Sequence, residues 1–159
     1  MLIRKEKEKN IVEQTKDKTD SYYTLIPNES FGVFNFGDDV RNYFNLEHVA
    51  YSLESSDDAY HFPQLNIDIW LSDDGSYSIQ YISTEKKLIL NHINWIGKPI
   101  KEFNNQFGKA DSISIEYLYN QKGRHKHVVY DYDLFGLQLW TFRGRIVQGI
   151  SGEATDMTK

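Results

Sequence analysis

The 159-residue chain has no cysteine. That excludes disulfides, thiolate metal sites and cysteine nucleophiles, and it fits a reducing compartment. Methionine occurs twice and proline three times, against eleven tyrosines and nine phenylalanines. The apolar filling is therefore rigid and aromatic, a composition suited to sheets. No apolar run approaches the roughly 18 residues that a membrane-spanning helix needs. Met1-Leu2-Ile3 runs straight into Arg4-Lys5-Glu6-Lys7-Glu8-Lys9 without the apolar core of a secretory signal. The expectation is a cytoplasmic protein that does not engage membranes. Gly-x-Ser-x-Gly, Gly-x-x-x-x-Gly-Lys and Gly-x-Gly-x-x-Gly are all missing from the sequence. Nothing therefore points to a serine nucleophile elbow or a nucleotide loop.

Positive charge is scarce in one half. Residues 21–83 hold a single base, Arg41, against Glu29, Asp38, Asp39, Glu47, Glu54, Asp57, Asp58, Asp68, Asp73 and Asp74. Residues 84–159 carry a small excess of bases, and the whole chain balances at −5. An acidic half without compensation argues against nucleic acid as its direct ligand and toward a cationic partner. Solubility alone accounts for such a surface equally well.

What the sequence does contain is an internal echo. Phe36-Gly37-Asp38-Asp39-Val40 opens a segment that closes through Ile67-Asp68-Ile69-Trp70-Leu71, Asp74-Gly75 and Ile79-Gln80-Tyr81-Ile82. Ile96-Gly97-Lys98-Pro99-Ile100 opens a second, closing through Leu137-Gln138-Leu139-Trp140-Thr141, Arg143-Gly144 and Val147-Gln148-Gly149-Ile150. After each glycine, apolar residues recur at helical spacing: Val40, Tyr43 and Phe44, then Ile100, Phe103 and Phe107. Alternating runs and Gly-bearing turns follow, as in antiparallel meanders. The fold expected is α+β. Two helix-plus-meander units, about 32–83 and 92–151, pair into one curved sheet of about seven or eight strands, with both helices on one face and the other face open. A charged arm (1–20) precedes this single domain (21–151), and a polar tail (152–159) follows. Val40, Tyr43, Ile69, Ile100, Phe103, Phe107, Leu137, Leu139 and Ile150 are the expected interior.

A Gly-x-x-apolar helix start followed by a meander with an aromatic on its third strand resembles the tandem repeats of the β-lactamase inhibitor protein and of the small outer-membrane assembly lipoprotein domain. Size, acidity and aromatic richness are also similar to those of bacterial toxin-immunity proteins. These resemblances imply a binding protein without catalysis or cofactor, whose partner is a protein.

Three groups of residues are candidates for chemistry. His125 and His127 stand at i and i+2, which on a strand puts both imidazoles on one face toward a shared metal, with Asp131 and Asp133 further along. A solvated hairpin end explains them as well. Glu54, Asp57, Asp58, Asp73 and Asp74 read as turn acids. They lack the cleft that raises one carboxyl for acid–base work, and they suit first encounter with a cationic protein. Tyr and Trp are typical interface anchors, and Trp70 and Tyr81 are the two expected here. The functional expectation is a protein-binding inhibitor, an immunity protein that occludes a basic toxin site through Asp57, Asp58, Asp73, Asp74, Trp70 and Tyr81. The alternative is a small-ligand or lipid-type module that uses the concave sheet face.

Overall fold

The computed structural model describes residues 19–52 and 57–153; for Ser52, Asp57 and Asp58 it describes the backbone alone. Of the expected arm only Thr19 and Asp20 are described, and of the tail only Gly152 and Glu153. A 3-10 turn (Ser21–Tyr23) leads into three two-residue strands, β1 (Leu25–Ile26), β2 (Ser30–Phe31) and β3 (Phe34–Asn35), which form a small antiparallel sheet. A second 3-10 turn (Val40–Tyr43) precedes β4 (Val49–Ser52), β5 (Asp57–Phe62), β6 (Ile67–Leu71) and β7 (Ile79–Thr84). A short hairpin, β8 (Ile89–Leu90) and β9 (Ile93–Asn94), connects to the helix α1 (Ile100–Phe107). Then come β10 (Ser112–Asn120), β11 (Gly123–Tyr132), β12 (Leu137–Phe142) and β13 (Arg145–Gly152). Eight strands form one antiparallel sheet in the order β10-β11-β12-β13-β7-β6-β5-β4. It consists of two four-stranded meanders joined along β13 and β7.

The protein is thus mostly β, and the α+β expectation with two helices is corrected. Both segments do leave their glycine in the same way. Gly37 and Gly97 have φ of 89° and 90°, a region glycine enters at no steric cost. Gly37 N–H donates to Ile79 O at 2.9 Å, and Gly97 N–H to Ile146 O at 2.7 Å. Val40 N–H donates to Tyr77 O, and Ile100 N–H to Gly144 O, both at 2.9 Å. The paths differ in what comes next. Residues 40–46 offer a β-branched residue, two aromatics and two asparagines, all poor helix formers, in a stretch too short to repay nucleation. They settle into one 3-10 turn, with the Asp39 carboxylate accepting from Arg41 N–H at 2.9 Å. Residues 100–107 sustain two helical turns until Gly108, at φ 93°, ends them.

The inner sheet face is the core. One full row reads Tyr132, Leu137, Ser151, Ile82, Ile69, Tyr60 from β11 to β5, and every one of these is buried. Phe31, Phe34, Val40, Leu88, Trp95 and Phe103 pack against this face from the small sheet, the turns and α1. Phe103 is fully buried, with ring centroids 5.0 Å from Trp95, 4.6 Å from Phe107 and 4.8 Å from Tyr132. Tilted and edge-on ring pairs of this kind add to plain burial. The Trp95 indole N–H donates to Leu90 O at 3.0 Å, so the largest buried ring leaves no polar atom unpaired.

Six of the nine expected interior residues are buried, and one lies on the other face. Val40, Ile69, Ile100, Phe103, Leu137 and Leu139 are buried, while Tyr43 and Phe107 pack against the core half-buried. Ile150 instead lies on the opposite face, paired with Gln138 and Ser83. A bulge where Trp70–Leu71 meets β7 leaves Ile79 in the core and Tyr81 outside.

Candidate functional site

The outer face of the sheet carries no described element across it. Strand registers fix its composition. One row crosses all eight strands: Val49, His61, Asp68, Ser83, Ile150, Gln138, Asp131 and Ser112. The row beside it reads Tyr51, Ala59, Trp70, Tyr81 and Gly152 from β4 to β13. Neither row contains a lysine or an arginine. Trp70 is 37% exposed and Tyr51 42%, while Tyr81, Trp140, Gln138 and Ile150 are half-buried.

At the seam between the meanders, Trp70, Tyr81, Gln138 and Ile150 line an open depression of about 310 Å³. Gly152 shapes one side of it: a Cβ there would lie 2.7 Å from Tyr81 Cδ1, so the missing side chain is what lets the phenol ring lie against β13. Polar side chains around the depression are tied to one another. The Trp140 indole N–H donates to Gln138 Oε1 at 2.7 Å, and Gln138 Nε2 donates to Asp131 Oδ1 at 2.7 Å. Ser112 Oγ donates to Asp131 Oδ2 at 2.9 Å. On the other side, His61 Nδ1 lies 2.7 Å from Asp68 Oδ1. Desolvation first, and then the charge of Asp68, raise the neighbouring Tyr51 phenol above its ordinary pKa. Gln148 Nε2 donates to Ser83 Oγ at 2.6 Å across the seam. Such cross-strand pairs hold side chains in place on a face that no second layer packs among the described residues.

Trp70 and Tyr81, the two expected anchors, are direct partners on β6 and β7 and line the same depression. Asp73 and Asp74 stand exposed in the turn that follows β6. Asp74 caps that turn, accepting from Ser76 Oγ at 2.5 Å and Ser76 N–H at 2.9 Å, and these bonds hold its carboxyl below the usual value. The reading of Asp57 and Asp58 as turn acids is corrected: both open strand β5, with Asp57 opposite Ser52. Their side chains, and Glu54, lie outside the described residues. His125 and His127 share the outer face of β11, opposite Leu118 and Glu116. They pack around Phe142, with ring centroids 6.0 and 5.5 Å away. Asp131 is engaged by Gln138 and Ser112, and Asp133 begins a 3-10 turn. Among the described residues no group of three or more His, Asp or Glu is placed to hold a metal ion.

Sequence reasoning put Asp131 on the His125–His127 face but missed Asp68, Gln138, Ile150 and Gly152 as parts of it. The alternation of β12 does put Gln138 and Trp140 on one face; the bulges near Trp70 and Trp140 hid the rest. No helix among the described residues is long and apolar enough to cross a membrane. No family model, no curated protein and no solved structure matches the chain.

Proposed function

We propose that the protein is a non-enzymatic binding protein whose outer sheet face covers a cationic surface of another protein, in the manner of an immunity protein blocking a toxin. The carrying observation is that face: half-exposed Trp70, Tyr81, Tyr51 and Trp140 share it with Asp68 and Asp131, and its two central rows hold no lysine or arginine. Aromatic side chains bring large rigid contact area at low entropic cost, and carboxylates select a positive partner. A face about eight strands wide at the ~4.8 Å strand spacing extends over roughly 35 Å, which suits a standard protein interface of about 800 Å² per partner. The exposed acids Asp73 and Asp74 border the Trp70 strand and contribute to encounter, together with Asp57 and Asp58. A second reading, a small-ligand module, draws support from the partly apolar 310 Å³ depression, a size at the low end of ligand sites.

The test is capture of partners from the native host with the full chain, followed by stopped-flow association of the recovered partner. Replacing Asp57, Asp58, Asp73 and Asp74 by Asn should lower the on-rate by roughly tenfold at low salt, with the deficit shrinking as salt rises. Trp70→Ala should raise the off-rate and leave the on-rate nearly unchanged. A partner that binds the Trp70→Ala protein as tightly as the parent removes the outer face from the interface. A small molecule co-purifying in place of any protein transfers the depression to the second reading.

A further inference from the structure

We propose that the depression between Trp70 and Tyr81 seats one arginine side chain of the partner. This rests on the protein-binding reading above and specifies what that partner must present. The occupant has to be cationic. Asp68 is two residues from Trp70 on the same strand and the same face, and Asp131 is hydrogen-bonded to Gln138 on the opposite rim. No lysine or arginine of the two central rows offsets either carboxylate; Asp68 is bonded by the His61 imidazole at 2.7 Å, and Asp131 by the uncharged Gln138 and Ser112.

The occupant also has to be planar and only partly hydrated. The lining combines an indole, a phenol ring and the Ile150 side chain with a single amide. An indole face attracts cations most strongly among the aromatic rings. A guanidinium lies flat on such rings, gives up its hydration more readily than an ammonium, and still has five N–H donors to direct at its edge. Gln138 Oε1 already takes the Trp140 N–H, and its second lone pair remains for one of those donors. Lysine, a compact and strongly hydrated charge, loses more on entering and has no flat face to stack. The same geometry recurs within the chain: the Arg41 guanidinium sits 4.1 Å from the Tyr77 ring centroid, and that of Arg124 sits 3.8 Å from Tyr117. A volume of about 310 Å³ suits one long side chain better than an extended metabolite.

The experiment is NMR on the full ¹⁵N-labelled chain, titrated separately with N-acetyl-arginine amide, N-acetyl-lysine amide and N-acetyl-norleucine amide. A fragment of this size reaches a Kd on the order of millimolar. The arginine probe should shift the Trp70 indole N–H, the Tyr81 amide and the Gln138 side-chain amide saturably. The lysine probe should bind several-fold more weakly, and norleucine should leave these signals in place. Trp70→Leu should weaken the arginine probe by about 2- to 30-fold, the span that cation–π energies imply. Asp131→Asn, which keeps the shape of its bonds to Gln138 and Ser112, should weaken it too. Amide signals remote from the face certify that each variant is folded.

Norleucine shifting the same signals as strongly as arginine overturns the proposal. So does an arginine response confined to the Asp73–Asp74 turn, or no response in the depression at tens of millimolar. The two readings fail separately. If a partner is captured through Trp70 but binds unchanged when each of its interface arginines is replaced by alanine, the arginine seat is wrong and the protein-binding reading stands. If the arginine probe binds the depression while no protein partner exists, the seat stands and that reading falls.

Discussion

Gly152→Ala adds one methyl group at the point where the outer face depends most on its absence. The new Cβ would lie 2.7 Å from Tyr81 Cδ1, 3.1 Å from Cε1 and 2.8 Å from the Gln80 carbonyl oxygen, whereas ordinary van der Waals contact begins near 3.4 Å. Ring and carbonyl must therefore each withdraw by about 0.6–0.7 Å, the kind of overpacking that typically costs about 1–3 kcal/mol. The ring can swing about χ1. The carbonyl belongs to the bulged start of β7 and moves only with that strand. A double-mutant cycle separates the two contributions. In a Tyr81→Ala background the ring clash is gone, so Gly152→Ala should cost less there than in the parent, with a coupling of about 0.5–1.5 kcal/mol. Guanidinium unfolding of the four proteins, followed by tryptophan fluorescence, supplies the numbers. If Gly152→Ala alone stays within about 0.5 kcal/mol of the parent, or the cycle shows no coupling, Gly152 is not what positions Tyr81. If the reasoning is right, Gly152→Ala should also weaken the binding of the arginine probe, because the displaced ring is one wall of the depression.

Phe103→Ala removes a fully buried ring that three other rings contact and should cost about 3–5 kcal/mol in denaturant melts; a loss below about 1 kcal/mol contradicts the packing of α1. Tyr132→Phe should cost about 0.5–1.5 kcal/mol by removing the 2.5 Å hydrogen bond to Asn104 Oδ1. Burial first, and then Tyr130, raise the Tyr132 phenol above its ordinary pKa of 10.0. Its support for the fold is therefore complete below about pH 10 and is lost as pH climbs toward the folded-state value, and Tyr132→Phe should flatten that alkaline limb of a stability–pH curve. The carboxyls of Asp39 and Asp74 are held below 3.8, Asp39 by Arg41 and Asp74 by Ser76. Their contribution is present above that value and fades as pH falls below it, so the Asp39→Asn, Asp74→Asn protein should show a shallower stability loss between about pH 4 and pH 2.

How far the sequence spoke depended on whether a signal was local. The corners at Gly37 and Gly97 were legible because a glycine, an apolar residue three places on and a later hairpin turn are all short-range features. The Trp70 strand was legible because Ile67, Ile69 and Leu71 alternate against it. The first helix was misread because Val40, Tyr43 and Phe44 fit a helical stripe, while propensity and length, which decide the outcome, argued against one. Strand β5 was hidden behind Asp57 and Asp58, two residues that usually mark turns and here open a strand. The small β1–β3 sheet is built from two-residue strands, too short for any period to appear. At the candidate site, Trp70 and Tyr81 could be named but not placed together, because their pairing follows from a register and a bulge that no residue type announces. Gly152 and Ile150 carry the same lesson. Gly152 falls in the expected polar tail and Ile150 in the expected interior, and the seam with β7 puts both on the outer face.

The seam itself has a consequence in time. β7 finishes the first meander, yet its second neighbour, β13, is made much later: Ser83 and Gln148, which bond across the seam, are 65 residues apart. At about 5–20 residues per second, the ribosome needs several seconds to supply that neighbour. Through that interval β7 is a finished strand with one bare edge and an apolar inner row, the condition in which nascent sheets pair with the wrong chain. The nascent protein therefore depends on a waiting period that β13 alone ends. Slowing synthesis between β7 and β13 should increase misassembly more than slowing it before β7 is made.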